Sequence, residues 1–149
     1  MKQIVTAKED RYIELQWFQF TKVVVVEETP MLCKLDLLGA ESPVTFKVEI
    51  IDNSKADLMM YLSTECKEPN EKKNDRAVER MATFKFTAKK KALFFGDDDV
   101  CYITLESIVG CTVRIRPSST KIRALAEPEK VKEFNKALSK SEIDAEITA

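Results

Sequence analysis

Every second residue between positions 44 and 50 is apolar, and this alternation constrains the fold more than any other feature of the sequence. Val44, Phe46, Val48 and Ile50 fall on one face of an extended chain, and the residues between them are polar or charged. A period of two is typical of a β-strand with one dry face and one wet face. The same alternation recurs in residues 33–37, 57–63, 82–88, 100–107 and 111–116.

Two further segments are predicted as strands. Residues 22–27 contain four consecutive valines, and a β-branched run of this kind suits a strand that is covered on both faces. The apolar side chains of residues 12–20 fit one face of a strand or one face of a helix, and we favour the strand.

Polar connections separate these segments. Residues 107–110 are short enough to join two strands as a hairpin. The widest gap, residues 64–81, is polar and charged, and we predict a surface loop there with one helical turn near 76–80.

Seven to eight short alternating strands with polar turns predict an all-β fold, an antiparallel β-sandwich of jelly-roll type. A closed barrel is the alternative. We assign residues 1–120 to the β-sandwich domain and residues 121–149 to a C-terminal amphipathic helix and tail.

The helix is predicted over residues 128–140. Pro128 suits the first position of a helix, because its missing N–H would have no partner there. Val131, Phe134 and Leu138 then recur at spacings of three and four, which places them on one face.

The composition argues against several classes of function. Histidine is absent and only three glycines occur, so the sequence lacks the commonest general base, the commonest metal ligand and any Gly-rich phosphate loop. The 24 basic and 25 acidic residues leave a net charge of −1, from which we expect no nucleic-acid partner. No apolar run reaches about 18 residues, so we expect no transmembrane segment.

The first residues do not open onto the apolar stretch of a secretory signal, and we therefore expect a cytoplasmic location. In that reducing compartment the four cysteines are expected to stay free. Cys33, Cys101 and Cys111 fall on apolar strand faces, so we predict that they are buried.

Short motifs in the middle of the chain resemble a known family. Residues 57–63 read Asp-Leu-Met-Met-Tyr-Leu-Ser, residues 68–70 read Glu-Pro-Asn, and residues 101–105 and 110–115 have the pattern of two later strands. The stretch from 44 to 116 resembles the pre-peptidase C-terminal β-sandwich, which is similar in outline to the third domain of calpain. Lys55 stands where the family motif has its first aspartate. The resemblance implies a non-catalytic accessory sandwich that binds protein or polysaccharide surfaces.

Three consecutive carboxylates are the candidate metal site. Asp97, Asp98 and Asp99 offer the hard oxygen ligands that Ca²⁺ prefers. Because Ca²⁺ takes six or more oxygens and consecutive residues point in different directions, carboxylates at 36, 52 or 57 would have to converge on them. A solvated turn is the alternative, and apart from Ca²⁺ we expect no cofactor.

With no recognisable catalytic set, we expect a non-enzymatic β-sandwich that binds other proteins as a scaffold or structural subunit of a larger assembly. Val131, Phe134 and Leu138 are the candidate contact with a protein partner. A Ca²⁺-dependent membrane- or carbohydrate-binding domain is the alternative. Residues 65–91 hold nine basic and five acidic residues, an excess of four positive charges, which fits a solvated loop or a patch for an acidic partner or anionic lipid.

Overall fold

The structure is a computed structural model that describes residues 11–52, 55–80 and 82–123. Within these ranges the chain forms nine strands and one 3₁₀ turn. The strands are β1 (Tyr12–Glu14), β2 (Thr21–Val25), β3 (Met31–Asp36), β4 (Val44–Ile50), β5 (Met59–Ser63), β6 (Arg76–Glu79), β7 (Thr83–Phe86), β8 (Val100–Glu106) and β9 (Cys111–Ser118), and the turn is Lys89–Lys91.

These strands form two sheets. One has five strands in the order β1-β3-β8-β5-β6, and the other has four in the order β2-β9-β4-β7. Neighbouring strands are antiparallel except β1 and β3, which run parallel. The predicted all-β class and the β-sandwich are confirmed. The closed barrel is wrong, because the described strands divide into two separate ladders.

The residues marked by the alternation fill the space between the sheets. On β4, Val44, Phe46 and Val48 are buried while Lys47 between them is exposed. The ring of Phe46 stacks on the ring of Phe84 in the neighbouring strand, with centroids 5.3 Å apart. Because burial of one such side chain contributes about 1.5–3 kcal/mol, this layer is the main source of stability.

The three cysteines predicted to be buried lie in this layer. Cys33, Cys101 and Cys111 are buried and unpaired, whereas Cys66 in the loop after β5 is partly exposed. The prediction that they act as small apolar residues of the strands is confirmed.

The predicted strand over 12–20 ends at Glu14, because the chain must turn to change sheets. Trp17 is buried in this crossing, and its Nε1 donates a hydrogen bond to the carbonyl of Asp36 at 2.8 Å. Phe18 has a φ of 63°, and its N–H donates to the carbonyl of Pro117 at 2.8 Å. These bonds tie the crossing to a strand of each sheet.

The helical turn predicted near 76–80 is wrong. Residues 76–79 form β6, which pairs antiparallel with β5. Val78 is the one buried side chain of this strand, so the segment has too little alternation to be recognised from sequence. Its strand conformation comes from the ladder that β5 offers.

Two other local predictions are wrong for one reason, which is the division into two sheets. Residues 107–110 do not close a hairpin, because β8 belongs to the five-stranded sheet and β9 to the four-stranded one. The valine run is not covered on both faces either. β2 lies at the edge of its sheet, with Val23 and Val25 buried and Val24 exposed to 55%.

The loops divide between the two ends of the sandwich. We call the end formed by residues 26–30, 51–52, 55–58 and 107–110 the apolar end, because most of the exposed large apolar side chains of the described residues lie there. The loops 37–43, 64–75 and 87–99 form the opposite end, which we call the far end. No helix in the described part of the chain has both the length and the apolar character needed to cross a bilayer.

Phe46→Ala should be strongly destabilising, because it removes a fully buried ring and one partner of the stack with Phe84. We expect a loss of about 3–5 kcal/mol in the free energy of unfolding, measured by urea denaturation. Lys85→Ala on the exposed face of the neighbouring strand is the matched control and should stay within about 0.5 kcal/mol of the wild type. Equal losses in the two variants would contradict the burial pattern.

Candidate functional site

The exposed large apolar side chains gather toward the apolar end. Ile108 and Val109 are adjacent in the loop between β8 and β9 and are exposed to 68% and 57%. Ile51, which follows β4, is half exposed at the same end. Leu93 is the exception, since it lies in the 87–99 loop of the far end. The exposed large apolar side chains of the described residues are Val24, Val26, Ile51, Leu93, Ile108 and Val109.

The carboxylate of Asp57 holds the Ile108–Val109 loop in place. It accepts hydrogen bonds from the N–H of Ile108 at 3.0 Å and from the hydroxyl of Ser107 at 3.1 Å. The hydroxyl oxygen of Ser107 in turn accepts from the N–H of Gly110 at 3.0 Å. Two apolar side chains are thus presented to solvent on a loop whose backbone is well bonded.

The turn between β2 and β3 holds the Ile108–Val109 loop from the side opposite Asp57. The N–H of Glu28 donates to the carbonyl of Ser107 at 2.9 Å. Gly110 has a φ of 82°, and a Cβ there would lie 3.2 Å from the amide nitrogen of Glu27. Only glycine combines this backbone conformation with so close an approach.

Acidic groups surround the exposed loop. A hollow of about 290 Å³ beside Ile108 is lined by Glu28, Asp57 and Glu106 together with apolar atoms of Pro30 and Met59. No cation lines this hollow in the described residues, although Lys55 and Arg80 lie in neighbouring loops of the same end. The hydrogen bond from the N–H of Ile108 and the one from Ser107 hold the pKa of Asp57 below its usual range, so this carboxylate is charged at neutral pH.

The three aspartates predicted to bind Ca²⁺ lie at the far end, in the loop before β8. Asp97 accepts a hydrogen bond from Nη2 of Arg123 at 3.3 Å, and Asp99 accepts from the N–H of Gly96 at 2.7 Å. Asp52 and Asp57 lie at the apolar end and do not converge on them. Among the described residues no group of three or more His, Cys, Asp or Glu side chains is placed to hold a metal ion. Calcium binding at Asp97, Asp98 and Asp99 stays a prediction.

The other predicted contact residues, Val131, Phe134 and Leu138, lie outside the described residues, as does the whole predicted helix. The basic excess between 65 and 91 is partly neutralised where it is described. Nζ of Lys89 lies 2.8 Å from Glu65 and 3.2 Å from Asp75.

The buried thiols are not arranged for nucleophilic chemistry. Burial raises the pKa of Cys33 to about 12, and desolvation also raises the pKa of Cys101 and of Cys111. A thiol with a raised pKa is protonated at neutral pH and is a poor nucleophile.

The sequence reading missed Ile108 and Val109 because residues 107–110 were interpreted as an ordinary hairpin turn. The sequence did contain a sign that this segment is unusual. Two adjacent large aliphatic residues are unusual between Ser107 and Gly110, where turn chemistry favours small and polar types. Large aliphatic side chains in a turn are expected either to be buried or to contact a partner.

Comparison with known proteins adds a likeness in fold. No family model matches the sequence, and a search of curated proteins finds no match. Among solved structures, the pre-peptidase C-terminal domain of a collagenase from Bacillus anthracis is similar, with 6% sequence identity and a TM-score of 0.48; the likeness covers 71% of this chain and 93% of that one. The weak resemblance found in the sequence motifs is thus confirmed, and at this level it carries no argument about function.

Asp57→Asn should destabilise the fold at neutral pH, because an amide accepts the same hydrogen bonds without the charge. Since the folded-state pKa of Asp57 is lowered, its stabilisation is complete above the unfolded-state pKa of about 3.9 and is lost as the pH falls through the folded-state value. The difference in Tm between wild type and variant, measured by thermal denaturation from pH 7 to pH 2, should therefore shrink on acidification. Asp98→Asn, at an exposed position, is the control. An equal and pH-dependent decrease in Tm in this control would contradict the role of Asp57 in holding the Ile108–Val109 loop.

Thiol labelling tests the burial of the cysteines. With excess of an aromatic disulfide reagent at pH 8 under native conditions, Cys66 should react within minutes, because it is partly exposed. Cys33, Cys101 and Cys111 should react only as fast as the protein unfolds. Cys66→Ser should abolish the fast phase, whereas a fast phase that survives in this variant would mean that a core thiol is accessible.

Proposed function

We propose that this chain is a non-enzymatic scaffold module that binds another protein within a larger cytoplasmic assembly, and that the apolar end is the surface that contacts the partner. The observation that carries the proposal is the pair Ile108 and Val109. Both side chains face solvent on a loop that Asp57 and Ser107 hold by hydrogen bonds.

Preorganisation is what makes this loop a good contact. Isolated exposed apolar side chains are normal on protein surfaces. A pair on a rigid loop differs, because a partner that buries it does not have to order the backbone first. Ile51 on the same end extends the apolar area beyond the loop.

The charges around the loop indicate the chemistry of the partner. Glu28, Asp57 and Glu106 line the hollow next to Ile108. A partner surface with an apolar centre and a basic rim would match both features, and its association would be accelerated by electrostatic steering. The same acidic groups would repel an anionic membrane, so they favour a protein over a lipid surface.

The double variant Ile108→Asp/Val109→Asp should lose the partner, because a charge replaces each apolar contact. Leu93→Asp is the matched control, since Leu93 is exposed to 76% and lies at the far end. Quantitative affinity purification from the native source, followed by calorimetric titration of the purified partner, would measure the effect. We expect a loss of affinity of at least about tenfold, or 1.4 kcal/mol, for the double variant and none for the control.

Salt dependence gives a second readout. Affinity for the wild type should fall as ionic strength rises, because the proposed contact joins an acidic surface to a basic rim. A partner whose binding survives the double variant, or is lost equally in the Leu93 control, would show that the apolar end is not the contact surface.

A further inference from the structure

The outer face of the four-stranded sheet is strongly basic. Along its strands, the side chains that alternate with the buried ones are exposed or half-buried on this face. Five of them are basic and one is acidic, an excess of four positive charges in a chain whose net charge is −1. We call this surface the basic face. Its charged residues are Lys22, Lys47, Lys85, Arg114 and Arg116, with Glu49 as the acid.

The register of the sheet brings like charges together on the basic face. Arg116 of β9 lies directly opposite Lys47 of β4, and Arg114 lies directly opposite Lys22 of β2. Like charges in opposite positions destabilise a ladder. β1 and β3 of the other sheet instead pair a glutamate with a lysine. The basic face therefore keeps cations at positions where they repel each other, which makes a bound anion favourable there.

Arg114 shows how this face holds a carboxylate. Its guanidinium lies 4.3 Å from the centroid of the Phe20 ring, and its Nε donates a hydrogen bond to Glu49 at 2.6 Å. Stacking on the ring orients the planar guanidinium, so that the N–H donors at its edge are available to carboxylate oxygens. Nζ of Lys47 lies 3.8 Å from the carboxylate of Glu49. A stacked arginine and a lysine together thus hold one carboxylate.

Arg116 repeats this arrangement without the carboxylate. Its guanidinium lies 4.9 Å from the centroid of the Phe20 ring. The ion pairs of the described residues include neither Arg116 nor Lys22 nor Lys85. Because Arg116 and Lys47 are opposite each other in the ladder, a carboxylate placed between them is within reach of both side chains.

We propose that the basic face binds an acidic, extended segment of a partner protein, whose carboxylates lie over Arg116, Lys47 and Lys85. These three residues are on successive strands. The steps from Arg116 to Lys47 and from Lys47 to Lys85 are about 5 Å and about 8 Å between Cα atoms, from the spacing of strands and residues. Alternate side chains of an extended peptide are about 7 Å apart, so acids at every second position match the three cations.

The stacking on Phe20 favours a protein segment over a nucleic acid or a lipid. Two guanidiniums already lie against this ring, so it is not an open platform on which the bases of a single strand can stack. Both guanidiniums lie along the sheet, which suits a peptide in contact with the strands better than a plane of lipid headgroups. This inference does not rest on the proposed function, because the basic face is built from strands and the apolar end from loops.

Binding of a fluorescent decaglutamate peptide to the full chain, followed by anisotropy, tests the basic face. We expect binding at low ionic strength that weakens as salt is added. Lys47→Gln/Arg116→Gln should lower the affinity at least about tenfold, because it removes two of the three cations over which the carboxylates lie. Lys34→Gln/Lys67→Gln removes the same charge beside the other sheet and should bind like the wild type. Thermal denaturation confirms that both variants fold.

Nuclear magnetic resonance locates the contact in the wild type. Decaglutamate should shift the Nε–H signals of Arg114 and Arg116 and the amide signals of β4 and β9, and it should leave those of β5 and β8 unchanged.

Absence of peptide binding, an equal loss of affinity in the Lys34→Gln/Lys67→Gln control, or shifts spread over both sheets would each overturn the proposal. Tighter binding of an oligouridine strand, or of phosphatidylserine-containing vesicles, than of decaglutamate would also overturn it, because the basic face would then recognise phosphate in preference to carboxylate.

Discussion

The dry layer between the two sheets is the constraint on which the rest of the structure depends. The strands β2, β4, β7 and β9 contribute every second side chain to it, so their alternation must stay in register. A shift of one residue in β4 would turn Phe46 outward and Lys47 inward, at the cost of burying an unpaired charge. This penalty fixes which side chains remain outside and can meet a partner.

Function on such a scaffold is confined to ends and outer faces. At the apolar end, the crossing from β8 to β9 places Ile108 and Val109 in solvent, and Asp57 determines the path of the backbone there. On the outer face of the four-stranded sheet, the register places Lys47 opposite Arg116 in a surface with an excess of positive charge. The first surface offers apolar side chains and the second offers cations, so they suit different kinds of contact.

Much of the fold could be predicted because alternation is a local property. Val44, Phe46 and Val48, and likewise Cys33 and Leu35, reveal a strand and its buried face without reference to any other segment. The prediction weakened where a segment has little alternation of its own, as in β6, where only Val78 is buried. It failed for 107–110, because no local pattern says whether two strands share a sheet.

The candidate site was harder to predict than the fold for the same reason. The sequence shows only that residues 108 and 109 are apolar. The hydrogen bonds from this loop to Asp57 and to the β2–β3 turn show that both side chains stay exposed on a loop with a fixed backbone.

The sequence by itself determined the strands that alternate clearly, such as β4 and β9, with their inward faces and the burial of three cysteines, since these follow from the chemistry of neighbouring residues. Only the tertiary structure decided which strand became an edge, which loop crossed between sheets and which aspartates lay at opposite ends, because these depend on contacts between residues far apart in the chain.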